Sequence, residues 1–322
     1  MSSELAIVVL NYRTAALTND CLDSLASEIE PGFRAVVVDN ASGDGSAEAI
    51  AAHIAQRGYG GWAELLRSPV NAGFAAGNNL GIRSVPARAY LLLNSDTLVR
   101  PGALRQLLGA LGDHPRVGMV APSAEDGSGR VVETCFRFPH PMTELLRAAS
   151  TGLLTAALRR YDVPSRASDA PLEPDWVPFA AVMIRRELID AIGLLDDGYF
   201  MYFEDLDYCL NARAAGFGIL YWPDARIVHF VGGSSNVTTA GEGLRRAPRY
   251  FYEARSRFFA KHFGLPGLLL ANAMWITGRG VSLPRELLQG KRPHLREGEA
   301  SDIWINVMHP FRPSSMLKRT PT

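Results

Sequence analysis

Short apolar runs at 5–10 (LAIVVL), 35–38 (AVVV), 64–67 (ELLR) and 90–93 (YLLL) are each followed by apolar residues at helical spacing. Leu17, Cys21, Leu22 and Leu25 mark the first helix and residues 47–56 the second. The stretch NAGFAAGNNLGI opens a third. Leu104, Leu107, Leu108 and Leu111 form an i, i+3, i+4, i+7 stripe for the fourth. Strand and helix therefore alternate four times over about the first 112 residues. Runs that are apolar without alternation suit strands covered on both faces. Parallel strands joined by right-handed crossovers solve that pattern most economically, which predicts a doubly wound α/β sheet.

The strand ends carry the second constraint. They read Asn11-Tyr12, Asp39-Asn40, Asn71-Ala72-Gly73 and Asn94-Ser95-Asp96. One such end is explained by turn and cap chemistry alone. Four on the carboxyl edge of one sheet predict a binding crevice, because ligands of open α/β sheets sit there.

Beyond residue 113 the pattern loosens. APSAEDGSGRVVETCFRFPHP predicts a hairpin or an irregular excursion, 143–160 a helix, and PSRASDAPLEPD a loop. WVPFAAVMIRRELIDAIGLL reads as a strand and a helix. Asp205–Ala215 reads as a helix, and 219–222 and 226–230 as two short strands.

Composition narrows the function. Lys+Arg and Asp+Glu are equal at 33 each, so no basic field recommends a nucleic acid. Three widely spaced cysteines make neither a disulfide framework nor a zinc spacing, and a reducing cytosol is expected. MSSELAIVVL carries an acid where a secretory signal needs bases, so export is not expected. The sequon Asn236-Val237-Thr238 then reads as chance. LNYRTAAL, after the first strand, contains no glycine, and there is no phosphate-cradling Gly-rich loop. Phosphates of a bound nucleotide would need another counter-charge, most simply a divalent cation.

Asp96, at a strand end with oxygen-bearing neighbours, fits Mg2+ or Mn2+, which take oxygen ligands and few protein carboxylates. Asp39 can accept from the imide N–H of uracil or thymine; an Asx turn before Gly43 explains it equally well. Glu204, Asp205 and Asp207 follow the aromatic run YFMYF. An acid there suits a general base whose pKa desolvation raises. The same acids also suit the N-terminus of a helix. Asp205 is taken as the base, with Glu204 or Asp207 as cap or support. His229 closes an apolar strand, and neutral imidazole binds Mn2+ well. A structural histidine is the alternative.

In order along residues 5–262, VVLNYRT, VVVDNASGDGS, NAGFAAGNN, LLLNSDTLVRPGAL, YFMYFEDLDYC and ARIVHFVGGSS resemble glycosyltransferase family 2. More narrowly they are similar to its bacterial rhamnosyltransferase-like members, which build cell-wall and surface polysaccharide. The resemblance implies a Rossmann-like glycosyltransferase A-type fold, a mixed central sheet flanked by helices with a helical C-terminal extension. It implies that Asp39 contacts the pyrimidine and that Asn11, Tyr12, Ser42, Asn71, Gly73, Asn79, Asn94 and Ser95 form the nucleotide-sugar site. Asp96 would be the metal-binding acid of the motif Asp-x-Asp, Asp205 the base and His229 the metal-side histidine. Arg255 and Arg257 would be the basic pair near the diphosphate. Trp176, Tyr202 and Glu204 are candidates for the acceptor side, with core packing the competing role for the aromatic residues, Trp222 among them. Two departures stand out: Asn94 replaces the first Asp of the metal motif, and Asn211 stands where many members have Arg. PFAA also replaces the usual Gly-Ala before VMIR.

The expected chemistry is inverting transfer of a sugar from dTDP-rhamnose or a UDP-sugar to a glycan or lipid-linked acceptor, with Mg2+ or Mn2+. A nucleotidyltransferase and a catalytically silent nucleotide-sugar-binding protein are the competing readings. Residues 1–262 are expected to be catalytic, 1–112 binding nucleotide and 113–262 facing acceptor. Residues 263–322 form the extension. Phe263–Gly278 has no charged residue but is too short to span a bilayer, and Arg279, Arg285, Lys291, Arg292 and Arg296 follow. A capping helix and a segment resting on an anionic membrane both fit. A cytoplasmic enzyme visiting the inner membrane face is the expectation.

Overall fold

The computed structural model describes residues 2–163, 168–230, 245–289 and 294–318. The sequon at 236–238 and the basic residues Lys291 and Arg292 lie outside the described residues. In chain order the elements begin β1 (Ser3–Asn11), α1 (Ala15–Ala26), β2 (Phe33–Asp39), α2 (Ser46–Arg57), β3 (Ala63–Arg67), α3 (Gly73–Ser84), β4 (Ala87–Asn94), β5 (Thr97–Val99) and α4 (Ala103–Asp113). They continue with β6 (Val117–Glu125), β7 (Val131–Val132), α5 (Pro141–Ala149), α6 (Gly152–Ala157), β8 (Ala181–Arg185), α7 (Arg186–Ile192), α8 (Glu204–Ala214), β9 (Gly218–His229), α9 (Arg249–Gln289) and α10 (Glu299–Asp302). None of the described helices is long and apolar enough to cross a membrane.

Two compact units divide the chain. The first comprises residues 1–136, 165–197 and 204–236 and holds the sheet. Strand order is β3-β2-β1-β4-β8-β6-β9-β5, with β7 paired to β6. β3, β2, β1 and β4 are parallel, as the alternation predicts. β8 then runs antiparallel to both β4 and β6, so the sheet is mixed. Leu5, Ile7 and Val9 of β1 share a fully buried cluster with Cys21, Leu22 and Leu25 of α1 and Leu104 and Leu107 of α4. Each such side chain contributes roughly 1.5–3 kcal/mol by leaving water. The opposite face of β1 takes α3. A Cβ on Gly77 would lie 2.4 Å from Leu10 Cδ1, and one on Gly81 2.4 Å from Val8 Cγ1. Two glycines one turn apart let the helix backbone settle onto the sheet.

One sequence expectation is refined and another changes. The segment expected to be a hairpin or an irregular excursion is a hairpin of β6 and β7, and β6, which begins before it at Val117, is buried along its whole length. The strands expected at 219–222 and 226–230 are one strand, β9, whose pairing with β6 jumps from Trp222 to Arg226. The interruption is a bulge within one strand, not a turn between two.

The second unit comprises residues 137–164, 198–203 and 237–322. Its core gathers Ala148, Tyr252, Trp275, Leu295 and Ile303. α9 breaks at Gly264 (φ 69°), and Pro266 sits in the first turn of the second segment, where a missing N–H is harmless.

Candidate active site

Parallel pairing brings the carboxyl ends of β3, β2, β1 and β4 to one edge, and hydrogen bonds stitch three of them together. Asn11 Nδ2 donates to Asp39 Oδ1 (2.7 Å) and to Ser42 Oγ (3.1 Å). Ser42 in turn donates to Asp39 through Oγ (2.6 Å) and through its N–H (3.2 Å). Asn11 Oδ1 accepts from the Thr14 and Thr18 hydroxyls, at 3.1 and 2.9 Å. Thr14 Oγ1 lies 3.0 Å from Ser95 Oγ. A continuous chain thus runs Asp39–Asn11–Thr14–Ser95 from β2 across β1 to the turn after β4. Asn11, Asp39, Ser42 and Ser95 are all buried.

The end of β3 is tied in by Asn40, whose Nδ2 donates to Asn71 Oδ1 (2.9 Å) and the Gly73 carbonyl (3.1 Å). Gly73 has φ 89°, a backbone that favours glycine. Tyr12 is exposed, and the Arg13 guanidinium lies 5.1 Å from its ring centre. Arg13 and Ala41, just past the ends of β1 and β2, both have positive φ. Strain of that kind gathers at functional sites.

At β4 the Asn94 N–H donates to the Ala180 carbonyl (2.8 Å). The Asn94 carbonyl accepts from the Thr97 hydroxyl. Asp96 is buried, and its Oδ1 is 3.3 Å from His229 Nε2. Thr97 pairs with His229 in the β5–β9 ladder, so the backbone fixes the two side chains side by side. Among the described residues no three His, Cys, Asp or Glu side chains form an all-protein metal cage. One carboxylate and one imidazole nonetheless form a donor set for Mn2+ or Mg2+ of the kind whose shell phosphate and water complete.

Glu204 and Asp205 open α8. Burial pushes the Asp205 carboxyl up to about 6, against hydrogen bonds from the Leu206, Asp205 and Phe179 backbone that pull it down. Burial raises Glu204 well above the usual range, and the charge of Asp205 adds to it. Asp205 also accepts from the Leu206 N–H at 2.8 Å, so the acid caps its helix while remaining an unusually basic carboxylate. Asn211 donates to Asp207 one turn away (3.1 Å). Phe179, which holds Asp205, precedes Ala180, which holds Asn94; that dipeptide joins the α8 acids to the end of β4.

Other expected site residues are placed differently. Asn79 is fully buried, and both ends of its amide bond the Leu195 backbone, at 2.8 and 3.1 Å. It braces α3 rather than the strand ends. Trp176 stacks on Phe136 with ring centres 4.8 Å apart, and Trp222 packs on the sheet core. Tyr202, Arg255 and Arg257 belong to the second unit. Tyr202 stacks over Tyr250, and both Tyr202 and Phe203 have positive φ. Arg255 is 2% exposed, hydrogen-bonded to Asn272 (2.7 Å) and 3.4 Å from Glu144. Arg257 lies over the rings of Tyr199 and Phe311. The two arginines do not make a pair, because positions i and i+2 of a helix face different ways. The sequence reading missed Thr14, Thr18 and Arg13, and gave Asn40 only as part of a polar strand end. The signal available for them was the density of hydroxyl and amide residues immediately after the strands.

Residues 6–156 match the family described as glycosyl transferase family 2. An N-acetylglucosaminyl-diphospho-decaprenol L-rhamnosyltransferase of Mycobacterium tuberculosis is 25% identical over 245 residues, 71% of this chain and 76% of that protein. The mannosyltransferase PcManGT of Pyrobaculum calidifontis, solved with GDP-Man and Mn2+, matches 97% of this chain and 83% of its own at 16% identity and TM-score 0.56. GalNAc-T7, solved with UDP, GalNAc and Mn2+, matches 80% of this chain at 13% identity and TM-score 0.55; the match spans half of that structure. At these identities the structures establish the fold, a mixed sheet of the glycosyltransferase A type. Residues 6–156 thus form a glycosyl transferase family 2 domain, and with the rhamnosyltransferase relative that match supports a glycosyltransferase similar to the rhamnosyltransferases of the family.

Proposed function

We propose that the enzyme transfers a sugar, with inversion at the anomeric carbon, from dTDP-rhamnose or a UDP-sugar to a glycan or lipid-linked saccharide in cell-wall or surface polysaccharide synthesis. One observation carries the reading: the Phe179–Ala180 link that ties the Asp205 carboxylate to the strand end followed by Asp96. A base and an anion-handling group belong at opposite sides of a transferred sugar, and the link supports giving Asp205 and Asp96 those roles.

Asp39 would accept from the pyrimidine imide. Its Oδ2 takes the Ser42 N–H, and a carboxylate has further lone-pair sites to offer. Asp96 and His229 would hold a divalent cation, which when bound neutralises charge on the diphosphate. Asp205 takes the proton of the acceptor hydroxyl while that oxygen bonds to C1. The C1–O bond to the diphosphate breaks with its electron pair going to the departing phosphate. A carboxyl near pKa 6 is a stronger base than an ordinary one and remains ionised at neutral pH. The diphosphate is already acidic and leaves without a protein acid. The decaprenol-linked substrate named for the mycobacterial relative supports a lipid-linked acceptor, and with it work at the inner membrane face.

The test is incubation with Mn2+ and a panel of dTDP- and UDP-sugars, reading nucleoside diphosphate release and the anomeric configuration of the product by NMR. Asp205→Asn should bind donor and lose transfer. Release of pyrophosphate, retention at the anomeric carbon, or an unchanged rate in that variant each defeats the proposal.

A further inference from the structure

The second segment of α9, from Leu265 onward, has one buried face and one bare one. Leu268, Ala271, Asn272, Trp275, Gly278, Ser282 and Glu286 face inward. At Gly278 an added Cβ would lie 2.5 Å from the Leu145 carbonyl and 2.8 Å from Ala148 Cβ, so α5 lies directly against that face. The outward positions are Pro266, Leu269, Leu270, Ala273, Ile276, Thr277, Gly280, Val281, Pro284, Leu287 and Leu288, and all are exposed. They follow the 3.6 period over the whole segment and include no charged residue. Soluble helices put their charges on such a face. Here about 33 Å of helix, from Pro266 to Leu288, offers only apolar and small side chains to the outside.

Charge nearby says what covers it. Residues 263–322 hold eight Lys or Arg against four Asp or Glu. Three of the four acids are buried and paired: Glu286 with Arg279, Glu299 with Arg147 and Asp302 with Arg246. Glu297 is the exposed acid of the four, and among the described residues it stands against an exposed Arg312 and half-buried Arg285 and Arg296, so the described outward charge is basic. Beside the end of the helix, Ser150, Thr151, Arg285, His294 and the Glu286 carboxylate line a recess of about 550 Å³, and the imidazole is held there by Glu286 Oε1 and the Ala148 carbonyl, both at 3.1 Å. Leu153, Leu287 and Leu288, exposed by 87%, 75% and 86%, surround it or adjoin it in sequence. With a carboxylate in its lining the recess does not suit an anion, but the bare leucines beside it suit an acyl boundary.

We propose that this face of α9 lies in the interface of an anionic bilayer, with its leucines in the acyl boundary and the neighbouring Arg285 and Arg296 toward the headgroups. The inference deepens the membrane part of the function proposed above by naming the surface that makes the contact. The segment is amphipathic and lies on the bilayer; it does not span it.

The test uses the full chain and flotation with vesicles of phosphatidylcholine alone or with about one-third phosphatidylglycerol. No donor or acceptor is added, so the outcome is independent of whether sugar transfer is observed. Wild type should float with the anionic vesicles and lose that partitioning in high salt. The combined variant Leu269→Glu, Ile276→Glu, Leu287→Glu should lose at least about tenfold in partitioning while keeping its melting temperature and nucleotide binding. If that variant melts early, Arg285→Gln with Arg296→Gln, which leaves the apolar face intact, should weaken anionic binding instead. No flotation of wild type, equal flotation with both lipids, or equal flotation of wild type and variants overturns the proposal. So does a wild-type dimer in light scattering that the glutamates split, since the face would then be an interface between copies.

Discussion

His229 Nε2 and Asp96 Oδ1 lie 3.3 Å apart, and the backbone holds them there from both sides. Thr97 is paired with His229, and the Phe230 N–H donates to the Asp96 carbonyl at 2.9 Å. The β5–β9 ladder therefore keeps the two backbones adjacent. If the pair serves a cation, Asp96→Asn and His229→Ala should each weaken Mn2+-dependent binding of UDP or dTDP by about 10–100-fold. Metal-free nucleotide binding should hardly change. Calorimetric titration with and without Mn2+ separates these outcomes, and an equal loss in both would show a merely structural pair.

If Asp205 is the base, it sets the pH dependence. Its carboxyl is held near 6, chiefly by burial, so the ionised base accumulates as pH rises through that value. kcat/KM should therefore climb tenfold per pH unit below about 6 and level off above it. Stability runs the other way. A carboxyl raised from 3.8 binds more protons in the folded than in the unfolded chain between those values, so folding weakens as pH rises from about 4 to 6. Asp205→Asn removes that penalty. It should melt higher than wild type at pH 8 while losing transfer, and a lower melting temperature would show that the acid is there to cap α8.

Asn11 holds the strand ends together. Its amide serves Asp39, Ser42, Thr14 and Thr18 at once. Asn11→Ala leaves those buried groups short of partners, at a cost of about 1–3 kcal/mol. Urea denaturation should show a lower midpoint at unchanged slope. Nucleotide affinity should fall as well, because Asp39 loses the donor that orients it. Asn79→Ala offers a control: it breaks a buried bond of the same kind at Leu195 and should lower stability while leaving affinity for the nucleotide alone.

The parts of this chain that could be read in advance are those where burial and polarity separate cleanly. β1, β2 and β4 are continuous apolar runs, α1 and α4 show helical stripes, and Asp39, Asp96 and His229 fall where strand ends must be. β6 was hidden because polar residues sit inside it. Glu125 is buried yet satisfied by Arg100, and Ser123 bonds Tyr221. Long-range partners of that kind leave no local trace. The bulge in β9 looked like a turn because Pro223 and Asp224 are turn residues. The partners of Arg255 left no local trace either: Asn272 lies on the same element across the break at Gly264, and Glu144 is far away in sequence. The wiring of Asp205 through Phe179 was invisible for the same reason.

Two glycines of α9 test the division of that helix into an inner and an outer face. Alanine is a better helix former than glycine by about 1 kcal/mol, so propensity favours either replacement equally. At Gly280 a new Cβ meets nothing within 4 Å, and Gly280→Ala should raise stability by up to that amount. At Gly278 the same atom would meet the Leu145 carbonyl at 2.5 Å, Ala148 Cβ at 2.8 Å and the Ala149 nitrogen at 2.9 Å. These atoms are backbone or a methyl fixed to it, and none can rotate away, so α5 and α9 must move apart. Gly278→Ala should lower stability by about 1–3 kcal/mol despite its better propensity. Thermal melts of the two variants should shift in opposite directions. A stabilising Gly278→Ala would mean that α5 does not pack against this face, and the outward assignment of Leu269, Ile276 and Leu287 would fall with it.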